Sequence, residues 1–133
     1  MTTSLVGPLS SGAAVGSAGS ATANQTSSII VKGKVLAIYL EYLGSPPAGT
    51  TDATVATAGV SALPAATLLT ITNSATNAVF YPRVAVHDTA GAGVTYDGTN
   101  EIYEPQYIHD KVKVTIAGAN ADDYVNAYLV IEN

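Results

Sequence analysis

The sequence predicts an all-β protein: an antiparallel β-sandwich or jelly-roll-like barrel of about eight strands, preceded by an extended N-terminal arm. Three observations predict it. After Ile29 the large apolar side chains fall into short period-two segments separated by Gly, Pro, Asn and Asp. No segment repeats its apolar residues at the 3.6-residue spacing of an amphipathic helix. Finally, 47% of the residues are hydrophobic and only 11% charged, which suits a β-rich chain that spends much of its surface on neighbours rather than water.

The elements follow in order. Residues 1–28 form the arm: Ser4 to Ser28 contains no charged side chain, and its Gly, Ala, Ser and Thr offer too little burial to offset the cost of ordering. The expected domain spans 29–133. "SIIVKGKVLAIYLEYLG" is one long strand, or two with a kink at Gly33, in which Leu36, Ile38, Leu40 and Tyr42 share a face opposite Val35, Ala37, Tyr39 and Glu41. "GSPPAGTT" breaks it. "TDATVATAG" is a weaker strand, and "TLLTITNS" a better one, alternating Leu69 and Ile71 with Thr70 and Thr72. "NAVFYPRVAVHD" is the next, with Pro82 placing it at an edge or a bulge. "TAGAG" and "DGTN" are turns around a short "VTYD". "KVKVTIAG" turns Val112, Val114 and Ile116 inward, and "YVNAYLVIEN" does the same with Val125, Ala127, Leu129 and Ile131.

Charge and composition exclude several functions. A net charge of −5 with five Lys and Arg provides no cationic face for nucleic acid. The absence of cysteine excludes disulfides, thiolate metal sites and thiol nucleophiles. No stretch reaches the roughly 20 apolar residues of a membrane-spanning helix, and the N-terminus lacks the basic and apolar regions of a secretory signal. His87–Asp88 and His109–Asp110, with Glu101 or Glu104, are the one constellation of metal-ligand type. Adjacent residues in extended chain point to opposite faces, however, so each pair reads as a strand-end cap. "YDGTNE" lacks the spacing of a calcium loop, no G-x-S-x-G elbow occurs, and "GSAGSATA" has no phosphate-binding lysine. Nothing distinguishes Glu101 and Glu104 from ordinary loop acids, so no catalytic residue, metal or cofactor is expected.

Eight tyrosines against one phenylalanine and no tryptophan are more informative. Tyrosine buries a large ring and keeps a polar tip, which suits protein interfaces. Tyr103 and Tyr107, in the connection "EIYEPQYIHD", are the expected interface residues, and Leu5, Val6 and Leu9 the expected apolar anchors of the arm.

The block from Gly33 to Glu132, carried mostly by "YPRVAVHD" and "DKVKVTIAGAN", resembles small virion structural proteins of tailed bacteriophages. That resemblance implies a head decoration (cement) protein on the outer head of the virion, made in the host cytoplasm. Its partners would be the major capsid protein and further copies of itself, with a trimer favoured. It implies no active-site residues. The arm resembles those that such proteins lay across neighbouring subunits. A head fibre, a tail or baseplate subunit, or a carbohydrate-binding tip is the alternative.

Overall fold

The chain alternates between two antiparallel sheets, so that strands distant in sequence share one core. The structure, a computed structural model, describes residues 2–133. Its strands are β1 (Thr3–Ser10), β2 (Ala21–Thr26), β3 (Val31–Leu43), β4 (Asp52–Thr57), β5 (Thr67–Ile71), β6 (Ala78–Phe80), β7 (Val84–Ala85), β8 (Tyr103–Glu104), β9 (Tyr107–Asp110), β10 (Val112–Ala119) and β11 (Tyr124–Glu132), and no helix occurs among the described residues. The first sheet runs β1-β11-β3, with the far edge of β3 divided between β9 at its start and β6 towards its end. The second runs β2-β10-β4-β5. The expected all-β antiparallel architecture is therefore observed, with eleven strands where about eight were expected.

The inward faces of the four longest central strands fill the space between the sheets. Val35, Ile38 and Leu40 from β3 and Val125, Ala127, Leu129 and Ile131 from β11 meet Val112, Val114 and Ile116 from β10 and Ala53 and Val55 from β4. The alternation expected for β10 and β11 holds through β11 and from Val112 to Ile116 of β10, and slips at Gly118–Ala119 where the pairing with β2 is irregular. In β3 it changes phase. Ala37 pairs with Val130 and Val35 with Ile131, so β3 carries one extra residue, Leu36, at an irregularity. Val35 consequently turns inward and Leu36 lies half-buried outside, the reverse of the face assignment expected from strict period two.

The arm contributes a strand to each sheet. β1 pairs with β11 from Thr3↔Glu132 to Ser10↔Asn126, and β2 pairs with β10 from Thr26↔Lys113 to Ala21↔Ala119. Between them, Ser11 Oγ accepts a 3.0 Å bond from Val125 N–H, and Ala14 and Asp122–Asp123 exchange backbone bonds of 2.8 Å. Ser11, Ala14 and Ala21 are fully buried. The expectation that this segment orders only against other protein gives way here, because it orders on its own chain. Ladder hydrogen bonds to two central strands supply what its small side chains do not, and backbone pairing leaves no mark in hydrophobic periodicity.

The expected strand over 77–88 is split. β6 ends at Phe80, and Tyr81-Pro82-Arg83 leads out of the sandwich into a finger formed by residues 84–104. The finger is held by β7–β8 pairing and by a three-way ring of backbone bonds. Val86 N–H donates to Ile102 C=O (2.8 Å), Ile102 N–H to Val94 C=O (3.0 Å), and Val94 N–H to Val86 C=O (2.9 Å). The three residues recur every eight positions, a spacing that neither the strand nor the helix period picks out.

Candidate functional site

The candidate surface is built from two regions, the finger and the outer face of the β1-β11-β3 sheet. On the sheet, outward residues line up by register. Leu5 stands opposite Val130, and Tyr128 opposite Tyr39, which in turn pairs with Val79. Tyr39 and Tyr128 stack with centroids 5.8 Å apart and planes tilted by 35°. Gly7 lies beneath the Tyr128 ring: a Cβ there would come within 2.9 Å of Tyr128 Cδ2. The result is a band of apolar and aromatic groups along which Leu5 (67%) and Val79 (48%) are the most exposed.

The register also places the arm anchors. Leu5 points outward, whereas Val6 and Leu9 are half-buried and pack against the core of their own sandwich, opposite Leu129 and Ala127. Tyr103, on β8, is exposed on the finger, and Tyr107, on β9, is exposed beside Lys34. The structure thus leaves Leu5, Tyr103 and Tyr107 available to a partner and turns Val6 and Leu9 inward. It does not bring the three together at one spot in sequence or sheet order.

The finger displays Tyr96 (71%) and Tyr103 (61%), with Tyr81 exposed at its base and Val84 and Ile102 partly open. Its local shape follows from aspartate chemistry. Asp88 Oδ1 accepts from Ala90 and Ala92 N–H, each at 2.9 Å. Asp97 Oδ1 accepts from Asn100 N–H (2.6 Å) and Thr99 N–H (2.9 Å), which hold its carboxyl below the usual aspartate range. Residues 84–104 hold Asp88, Asp97, Glu101 and Glu104 and no Lys or Arg, so nearly all of the chain's net charge of −5 resides there. Sequence reading gave these acids no shared role, because only the finger fold separates them from the rest of the chain.

The two His–Asp pairs end in different environments. His87 bridges Gly93 on the finger, while Asp110 is buried at the sandwich edge with His109 outside it. Among the described residues no three His, Asp or Glu side chains form a metal-holding group. Asp110 acts as a structural anion. Its carboxylate accepts from Gly59 N–H (2.8 Å), Val60 N–H (3.2 Å) and Lys111 N–H (2.8 Å), pinning the loop after β4 to β9. Burial pushes its pKa up, but these backbone donors outweigh burial and hold it below the ordinary aspartate range. Because the folded-state value is depressed, the stabilisation is complete above the unfolded-state pKa and is lost as pH falls through the folded-state one. Asp110→Asn should therefore melt lower than wild type at neutral pH and show a shallower decline in Tm on acidification below about pH 4. Parallel acid-side slopes in the two proteins would remove Asp110 from this role.

Comparison with known proteins returns no counterpart: no protein family, no curated protein and no solved structure matches the chain.

Proposed function

We propose that this chain is a non-enzymatic structural protein of a tailed-bacteriophage virion, a head decoration protein that binds the outer lattice of major capsid protein as a homo-oligomer, with a trimer favoured. The sequence resemblance over Gly33–Glu132 motivates the reading. The observation that carries it is the distribution of exposed apolar and aromatic side chains, with Leu5 and Val79 on a rigid sheet face and Tyr96 and Tyr103 on the finger. Such a surface suits broad, repeated contact, and a symmetric lattice multiplies a modest contact into strong avidity. The arm, laid over its own domain, contributes Leu5 to that face.

Purified chain added to decoration-free heads should bind saturably, with a fixed number of copies per head. Leu5→Asp combined with Val79→Asp should weaken that binding by more than about tenfold, since two charges would enter a desolvated contact. Absence of saturable binding to heads by the wild-type chain would end this reading.

A second reading, a tail or fibre component with a carbohydrate-binding tip, is favoured by the three exposed tyrosines Tyr81, Tyr96 and Tyr103, whose rings are suited to stacking on sugars. Labelled copies confined to the tail or to one vertex, together with glycan binding lost in Tyr96→Ala, would select it over decoration.

A further inference from the structure

We infer that the finger of one copy docks on a lysine–tyrosine patch beside β9 of a second copy. The patch follows from register. Lys32 pairs with His109 and Lys34 with Tyr107, and all four side chains are exposed. Cross-strand neighbours stand about 5 Å apart and alternate residues about 6.6 Å apart, so these groups form a two-by-two grid on the outer sheet face. Glu132 opposes Lys34 from the β11 side. Next to Tyr107 and His109 lies a groove of about 200 Å³ that is also lined by Leu63, Pro64, Ala66 and Gln106. Leu63 is 55% exposed there.

Charge complementarity identifies the occupant. The finger holds four carboxylates and no Lys or Arg, and all five Lys and Arg lie outside it. Asp88 and Asp97 are engaged by their own turns, which leaves Glu101 to meet Lys32 and Lys34 beside Tyr103, while Glu104, on the other side of β8, adds to the finger's negative field. In extended chain Tyr103 shares a side with Glu101 and lies opposite Glu104; its exposed ring suits the Leu63–Tyr107 groove, and Tyr96 presents another from the preceding turn. Arg83 does not compete, because its guanidinium donates to Leu36 C=O (2.9 Å) and Pro82 C=O (2.8 Å). Lys113 lies on β10, in the other sheet, and does not line the groove. Finger and patch are different surfaces, so the contact is heterologous and builds rings or open chains of copies. It names the interface of the homo-oligomer proposed above and rests on that reading only for the presence of more than one copy.

Light scattering on the full chain tests the contact. Wild type should associate at low salt and dissociate as salt rises, because the ion pairs are rim-exposed and screened. Glu101→Lys with Glu104→Lys, and separately Lys32→Glu with Lys34→Glu, should each weaken association by more than about tenfold. The chain carrying all four changes should recover it, as should an equimolar mixture of the two charge-reversed chains. Recovery also demonstrates that the reversed chains are folded. Association that persists in both reversed chains, or four-fold reversal without recovery, overturns this interface while leaving the homo-oligomer standing. A wild-type chain that stays monomeric at low salt and high concentration overturns both.

Discussion

Deletion of residues 1–28 should abolish the cooperative unfolding transition, leaving a chain that aggregates or populates only partly folded states. By composition this segment reads as an extended arm that orders against other protein. In the fold it is the edge strand of both sheets, and its removal strips β1 from β11 and β2 from β10. Those two strands carry Val112, Val114, Ile116, Val125, Leu129 and Ile131, all members of the buried core, so their newly bare edges would lie directly beside apolar groups. The deletion also uncovers the positions plugged by Ser11, Ala14 and Ala21, and leaves Val125 N–H without its Ser11 acceptor. The combined loss should exceed about 5 kcal/mol, comparable with the whole stability of a domain this size. Calorimetry of the full and truncated chains checks it, and an unchanged, cooperative melt in the truncated chain would return the arm to the status of a separable tail.

Gly33→Val should be the most damaging single substitution outside the fully buried core. Gly33 has φ of +134°, and a Cβ there would approach Ile131 Cγ2 to 2.5 Å and the Glu132 carbonyl oxygen to 2.7 Å. The residue lies where β3 pairs with Ile108 of β9 while passing close to the end of β11. A valine must therefore pay a backbone penalty and push apart two strands, at a cost on the order of 3 kcal/mol or more. Gly49→Ala is the control, since nothing lies within 4 Å of its Cβ position and its φ is not in the left-handed region. Equal Tm values for the two variants would show that β11 yields at its end.

How much was legible in the sequence follows from what each element asks of its side chains. β10 from Val112 to Ile116 and β11 alternate strictly because each lies inside a sheet with one face on the core, and period two located those inward residues; it missed only Ala119, buried past an irregularity in the pairing with β2. β3 is also central, yet the extra residue at Leu36 defeated a strict reading of its faces, since an irregularity in pairing leaves no signature in a single strand. The arm was missed as structure for a different reason. Its order comes from backbone bonds to strands about a hundred residues away, and Gly, Ala, Ser and Thr do not advertise such pairing. The interface candidates were partly legible: tyrosine enrichment pointed to Tyr103 and Tyr107, both exposed, whereas the register alone decided that Leu5 faces out and Val6 and Leu9 face in. The gathering of acids on the finger depended on where the chain leaves the sandwich, at Tyr81-Pro82-Arg83, and that exit is a tertiary fact.

The pairing of Thr3 with Glu132 has a consequence for how the protein is made. Of the eleven described strands β1 is made first, yet its ladder partner β11 is made after all the others, and β2 must likewise wait for β10. Neither sheet can be completed until β10 and β11 have been made, so the pairing spans about a hundred residues and should be slow, as long-range β pairing is. During that wait the segment left hanging is the one with the fewest large apolar groups, a composition poorly suited to aggregation.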